Sequence, residues 1–348
     1  MKTKLYLLTI TVLLAFTSLH AGNPDRQGEA GAYELLLNPW ARSAGLHTLN
    51  TSYISGVEAL RLNPAGLVRI EQLEIAFSRA NYLQGTGIAL NSLGLSRRVG
   101  KGGAFGFSIM AMDFGDIPVT TTNQPEGTGA TFSPNFFNLG ISYAHIFENK
   151  VSVGITFRAI SEALADVSAF GFAIDAGIQY VTGENDNFKF GISLRNVGSP
   201  MQFNGEGLST QRPSPNGGYE LTFDQRSAAF ELPSTLNIGM SYDFLFGENH
   251  RLTAIGNFTS NSFSRDNLGI GLEYSLNDLF QLRAGYRHEI GVEFIEEEPI
   301  YSGLSAGATL EFKIGKEGKK QTRIGIDYAY RATRVWDGTH NIGVRINL

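Results

Sequence analysis

The chain has 348 residues, no cysteine and a formal net charge of −5. The absent thiols exclude disulfides and a cysteine-linked lipid anchor, and the mildly acidic balance speaks against nucleic acid as a partner. Its 41 glycines exceed the usual share of about 7%. Many of them fall inside strand patterns, where glycine marks a bend or a close backbone approach.

Lys2 and Lys4 precede an apolar run, Leu5–Leu19. The run is too short to span a bilayer comfortably, so residues 1–21 are read as a secretory signal peptide cut after Ala21. Residues 22–70 carry no strand rhythm. Ala30–Leu37, Trp40–Leu46 and Ser55–Leu62 can form short helical turns, the last closed by Asn63, Pro64, Ala65 and Gly66. Leu35, Trp40, Leu60, Leu62 and Leu67 make this stretch too apolar for a disordered tail.

From residue 71 the pattern changes to period two. Strands are expected near 71–82, 86–99, 103–113, 135–147, 151–163, 169–182, 187–197, 234–246 and 250–260. Five more follow at Asn267–Leu276, Leu279–Ile290, Leu304–Ile314, Thr322–Thr333 and His340–Leu348. In one of the clearest, Leu236, Ile238, Met240, Tyr242 and Phe244 face away from Asn237, Ser241 and Asp243. Each run has about the ten residues a tilted membrane strand requires. No later segment has about 18 consecutive apolar residues, so helical spans are not expected.

The connections alternate in length. Short ones are Gly100–Gly103, Glu148–Lys150, Gly183–Asp186, Gly247–Asn249, Asn277-Asp278 and Gly315–Gln321. Long ones are Phe114–Pro134, Ala163–Ser168, Val197–Pro233, Ser260–Asp266, Gly291–Gly303 and Arg334–Thr339. A soluble sandwich has no reason to segregate its loops in this way. An outer-membrane barrel does, with short periplasmic turns, longer outer loops and, for an even strand number, both ends in the periplasm. Aromatics beside the short turns, among them Phe147, Tyr180, Tyr242, Phe244 and Phe312, suit a membrane boundary. The expected fold is all-β: a transmembrane antiparallel β-barrel of about 14 strands over 71–348. Residues 22–70 would enter its lumen as a partly helical plug, with Asn63, Pro64, Ala65 and Gly66 as the plug motif.

Catalytic chemistry is not visible. The six histidines are scattered, with no metal-ligand spacing and no GxSxG or HExxH. No catalytic, cofactor-binding or metal residue is assigned, and a non-enzyme is expected. The glycine-rich stretch Gly100–Gly106 sits at a hairpin rather than between a strand and a helix, which speaks against phosphate binding. Lys316, Lys319 and Lys320 form a basic turn; Glu296, Glu297 and Glu298 form an acidic loop tip, read first as solvated charge. Arg158, Asp175, Arg195, Asp243, Glu273, Arg283, Arg287, Glu311, Asp327 and Arg345 fall on the lumenal phase. Both signs occur, which favours pairing inside a filled barrel over a charge-selective pore.

Several segments resemble a known family. Ala41-Arg42-Ser43-Ala44-Gly45, Gly56-Val57-Glu58-Ala59 and Leu62-Asn63-Pro64-Ala65-Gly66-Leu67 are similar to the start of PorV/PorQ-type proteins. Asp113–Thr120, Ala173–Tyr180, Arg195-Asn196-Val197-Gly198 and Leu232-Pro233 leading into Leu236–Tyr242 extend the likeness. Those proteins are relatives of FadL-like barrels found in Bacteroidota and neighbouring phyla. The resemblance implies an outer-membrane protein of the type IX secretion system in a Gram-negative bacterium of such a phylum. PorV-like members hold or shuttle cargo, and PorQ-like members anchor the attachment complex. The implied partners are secretion or attachment-complex proteins and secreted cargo, beside outer-membrane lipid and lipopolysaccharide. Docking is expected at the long loops, marked by Pro118, Pro200, Pro213, Pro215 and Trp336. The alternative is a FadL-like transporter of hydrophobic small molecules, with a wall break at Gly106, Gly115 and Pro118. An open diffusion channel is the third reading.

Overall fold

The computed structural model describes residues 22–294, 297–315 and 321–348. The signal segment, Glu296 and the Lys316, Lys319 and Lys320 turn lie outside the described residues. Fourteen strands form one closed antiparallel barrel. In chain order β1 is Leu73–Asn81, β2 Ala89–Val99 and β3 Gly103–Asp113; a small ribbon, β4 Ile117–Pro118 and β5 Thr131–Phe132, follows. The wall resumes with β6 Asn135–Phe147, β7 Val151–Leu164, β8 Val167–Thr182 and β9 Phe188–Gly198. A second ribbon, β10 Ser209–Pro213 and β11 Glu220–Asp224, precedes β12 Thr235–Phe246 and β13 His250–Asn261. The wall ends with β14 Asn267–Leu276, β15 Phe280–Glu289, β16 Tyr301–Ile314, β17 Thr322–Thr333 and β18 Thr339–Asn347.

Closure comes from β1 on β18, in the register Ile75↔Ile346 and Phe77↔Val344. It leaves no wall strand with an unpaired edge. Alternation then does the sorting. Phe77, Leu93, Ile155, Phe172, Ile270, Leu310 and Ile342 point outward and stay exposed, while Ser78, Ser92, Thr156, Ala173, Glu273, Thr309 and Asn341 point inward and are buried. An oily belt with a polar interior is what a lipid-embedded barrel needs.

One difference from the expected loops is at Ala163–Ser168. There β7 and β8 run on to Leu164 and Val167, leaving a two-residue turn. Ala165, in its left-handed conformation, supplies the tight hairpin geometry, so this connection is short although it lies on the long-loop rim. The two ribbons were not expected either: their strands are too short to show alternation above loop composition.

The wall has a bulge where β8 meets β9. The register slips between Ile174 and Ala176, so Asp175 faces both Arg195 and Asn196. Asn196 takes a left-handed conformation with φ 59°. As a result Arg195 and Asn196, adjacent in sequence, are both buried on the inside, which is how a bulge re-aims a side chain.

Candidate functional site

Residues 30–68 pack inside the barrel as a chain of short turns: Tyr33–Leu36, Ala41–Ala44, Gly56–Glu58, Ala59–Leu62 and Pro64–Val68. Trp40, Val57, Leu60, Leu67 and Val68 form one apolar cluster with wall residues Ala76, Ala104 and Ala144. Leu46 and Leu49 form another with Ile255. None of these turns is long enough to satisfy its own backbone, so buried peptide groups need partners from elsewhere.

The wall supplies them. Arg158 donates to Leu60 O at 3.0 Å and Arg195 to Leu35 O at 3.1 Å. Gln179 donates to Ile54 O at 2.9 Å, and Asn341 to Pro39 O at 2.8 Å. Glu74 accepts from the Val57 N–H at 2.7 Å. The lumenal polar residues thus bind a peptide segment, and the charged ones also pair with each other. Arg158 meets Asp175 at 2.6 Å, Arg283 meets Glu273 at 2.6 Å, and Arg345 lies 3.5 Å from Glu311 and 3.7 Å from Asp327. Lys189 bonds Asp243. His47, also fully buried, lies edge-on to Tyr301 at 5.5 Å.

Asn63, Pro64, Ala65 and Gly66 sit at the centre of this packing, each buried. Asn63 Oδ1 accepts from Ala65 N at 3.2 Å, an N-cap with proline in the first turn. Its amide donates to Thr51 O at 3.0 Å and to Ile178 O of β8 at 3.1 Å. One side chain therefore caps a turn and ties it both to the segment and to the wall. Gly66 faces Ile54 O so closely that an added Cβ would lie 1.9 Å from it.

Strand glycines were expected to mark bends or close approaches, without positions or partners; the structure supplies both. Gly154 pairs with Gly177, Gly191 with Gly239, and Gly271 with Gly285, all across adjacent strands on the inner face. Each pair makes a notch in the wall. A Cβ on Gly154 would lie 2.4 Å from Pro64 O, one on Gly191 2.6 Å from Thr51 O, and one on Gly285 2.9 Å from Leu46 O. Gly45 and Gly307 meet Cα against Cα, where a Cβ on either would come within 3.0 Å of the other. The available signal was their phase: Gly269 and Gly271, for example, share the polar side with Glu273 and Ser275.

Gly106 was expected to help break the wall. Instead β3 pairs without interruption, from Gly103 to Asp113, with both β2 and β6. Gly106 is small because Leu60 fills its place, 2.6 Å from where a Cβ would stand. Gly115 and Pro118 lie beyond the wall, in the loop and in β4. A lumenal cavity of about 310 Å³ lies on the short-turn side, lined by Arg42, Tyr53, Arg69, Lys189, Arg251, Glu273 and Arg283.

The other expected residues stand on three separate loops at the opposite rim. Pro118 lies in β4, Pro200 precedes the β10–β11 ribbon, Pro213 ends β10 and Pro215 lies in the turn that joins β10 to β11; all four prolines are exposed. Trp336 is exposed on the β17–β18 loop beside Val335, which is 81% accessible. The start of the described chain reaches the same rim. Gly22 bridges to Arg265, and Asn23 N–H donates to Ser264 O at 3.2 Å. Arg26 stacks over Phe263 at 4.2 Å, and Ala30 bridges to Glu231.

These features define a closed membrane barrel with a peptide-filled lumen and loop ribbons on one rim. Solved structures of similar fold include the Ralstonia pickettii toluene transporter TbuX, with TM-score 0.51, 14% identity and coverage of 89% of this chain and 97% of that one. A Pseudomonas aeruginosa FadL homologue gives 0.50, 12%, 88% and 96%. A deletion mutant of the TodX monoaromatic hydrocarbon channel gives 0.52, 15%, 88% and 97%. At such identities the likeness is one of fold. No curated protein matches the chain. The family described as type IX secretion system membrane protein PorP/SprF matches residues 62–346, and the chain belongs to it. The protein is thus an outer-membrane barrel of type IX secretion in a Gram-negative cell. The family matched is PorP/SprF, where the motifs had suggested PorV/PorQ-type proteins.

Short turns of such barrels face the periplasm and long loops the exterior. The two barrel ends, Leu73 and Leu348, meet at the short-turn rim with Leu348 N–H on Leu73 O at 2.8 Å, as the strand parity requires. Gly22 does not share that side, because residues 22–72 run the full height of the lumen. An epitope inserted after Gly22 should therefore bind antibody on intact cells, while one inserted at Gly247–Asn249 should need a permeabilised outer membrane. Labelling of both only after permeabilisation would reverse this orientation.

Proposed function

We propose that the barrel is a non-enzymatic docking platform. It would hold secreted cargo or attachment-complex proteins at its outer loops, in the manner expected of PorV- or PorQ-like proteins. One observation carries the reading. On the loop rim Tyr219, Phe223, Val335 and Trp336 are exposed beyond the ends of the wall strands, on the β10–β11 ribbon and the β17–β18 loop. Water-exposed aromatics carried on more than one outer loop favour a protein partner broad enough to span the rim. The filled, polar lumen supports a role that passes nothing through the barrel, with residues 22–70 serving as its plug.

Deleting the gene tests the pathway: export and surface anchoring of C-terminally signalled cargo should fail. The loop variant Tyr219→Ser/Phe223→Ser/Trp336→Ser in the full chain tests the platform. It should keep the barrel in the membrane, judged by heat-modifiable gel migration, and lose secretion components from a gentle pull-down. Unchanged recovery of those components would remove the loops from the function.

The second reading, a transporter of hydrophobic small molecules, draws on one local feature. Leu90, Met110 and Met112 form an apolar cluster with Leu37, Tyr82 and Phe136 beside the outer mouth. A lipophile co-purifying with the native protein and displaced by Met110→Lys would favour this reading.

A further inference from the structure

The hairpin joining β2 and β3 carries three cations, Arg97, Arg98 and Lys101, around the Gly100-to-Gly103 turn. Arg98 turns back on the hairpin, donating to Lys101 O at 3.2 Å. Arg97 does not. It lies on the outward phase of β2, between Leu95 and Val99 and directly across from Phe105. Its side chain is exposed and, among the described residues, makes no hydrogen bond or ion pair. Outward-facing carboxylates are also lacking nearby: the outward residues of β2, β3 and β6 include only Asp113, at the opposite rim. Glu71, next to the Gln72 carbonyl that accepts from Arg98 N–H, is held by Arg323 at 3.3 Å.

A shallow groove of about 580 Å³ opens around Arg97, lined by Leu95, Val99, Phe105, Phe107 and Ile141. It continues across the wall into a second depression of about 190 Å³ that shares Phe105 and Ile141 and runs on to Ile155 and Phe157. The combination is an arginine unpaired among the described residues, at the short-turn boundary of the belt, with an oily channel leading away from it. A lipid-facing arginine is tolerated near the interface, at about 0–1 kcal/mol, where its stem lies along apolar surface and its head finds an anion.

We propose that this groove is a specific site for one anionic glycerophospholipid of the periplasmic leaflet. Its phosphate would pair with Arg97, its net negative headgroup would lie under Lys101, and one acyl chain would fill the channel past Phe105 and Ile141. The guanidinium suits a phosphate oxygen pair better than an ammonium does. The proposal is independent of what docks on the outer loops.

Native mass spectrometry of the full chain in mild detergent tests it, with phosphatidylglycerol, phosphatidylethanolamine and inorganic phosphate as separate probes. Phosphatidylglycerol should remain bound at one per chain and in preference to phosphatidylethanolamine. Arg97→Ala should cut the bound fraction about fivefold, roughly 1 kcal/mol for one basic side chain at an anionic surface, and Arg97→Lys should retain part of it. Arg79→Ala removes an outward cation from the far rim, where Arg79 bonds Asn91 at 3.1 Å, and should change nothing. Equal retention by Arg97→Ala and the parent chain would overturn the site. So would equal loss in Arg79→Ala, or inorganic phosphate displacing the lipid, which would leave the groove without a role.

Discussion

Substituting valine for both Gly154 and Gly191 should release the N-terminal segment from an otherwise intact barrel. At these positions the wall backbone lies against the backbone of the segment. An added Cβ would meet Pro64 O at 2.4 Å in the first case, and Thr51 O at 2.6 Å and Ser52 Cα at 2.7 Å in the second. No side chain can swing aside to make room. Overpacking of this kind costs about 1–3 kcal/mol per site; the two notches press on stretches joined by the Asn63 bond to Thr51 O at 3.0 Å, so the costs are coupled rather than independent. The wall itself keeps its ladder of hydrogen bonds, because valine suits a strand. The expected readouts are new protease cleavage within residues 22–70, a steady conductance in planar bilayers where the parent chain is closed, and retained heat-modifiable migration. Gly256→Val is the control: Gly256 faces outward, and its Cβ would touch only Met240, at 3.7 Å. A double variant whose N-terminal segment stays as protected as the parent's would show that the notches do not hold it.

The contrast between what the sequence reveals and what it hides follows from periodicity. Strand placement was legible because a lipid belt and a polar lumen impose strict alternation on every strand, from Ile75 and Phe77 in β1 to Val344 and Ile346 in β18. Loop segregation pointed to closure in the same way. The lumenal contents were not legible, since the turns of residues 30–68 take their order from wall residues more than a hundred positions away, such as Gln179 for Thr51 and Ile54. The motif Asn63-Pro64-Ala65-Gly66 could be picked out locally as a capped turn. Its notch partners, Gly154 and Gly177, look alone like weak points in a strand. The β9 bulge was hidden for a similar reason: Arg195-Asn196 reads as ordinary alternation until Asp175 on β8 is seen to face both residues.

That bulge is where the largest single-residue effect is expected. Asp175 is 1% accessible. One of its oxygens accepts from Arg158 at 2.6 Å and the other from the Asn196 backbone N–H at 2.7 Å. Arg61 and Arg195 complete a group of three buried guanidiniums, all of which donate to carbonyls of the N-terminal segment: Arg61 to Leu37 O at 2.9 Å, Arg158 to Leu60 O at 3.0 Å and Arg195 to Leu35 O at 3.1 Å. The arginines are there because irregular buried backbone needs donors, and Asp175 is there because three buried cations need charge compensation. Asp175→Asn keeps the shape and an acceptor for Asn196 N–H but removes the charge. It should cost about 3–5 kcal/mol, the usual penalty for leaving a buried ion without its partner, seen as a lower urea midpoint in detergent. Lys150→Ala, which breaks the exposed 2.5 Å pair with Asp186, should cost no more than about 1 kcal/mol. Adding Arg158→Gln to Asp175→Asn removes the uncompensated cation and should recover part of the loss, because contacting residues couple. If Asp175→Asn alone were as mild as Lys150→Ala, the lumenal charges would be incidental to how the barrel holds its N-terminal segment.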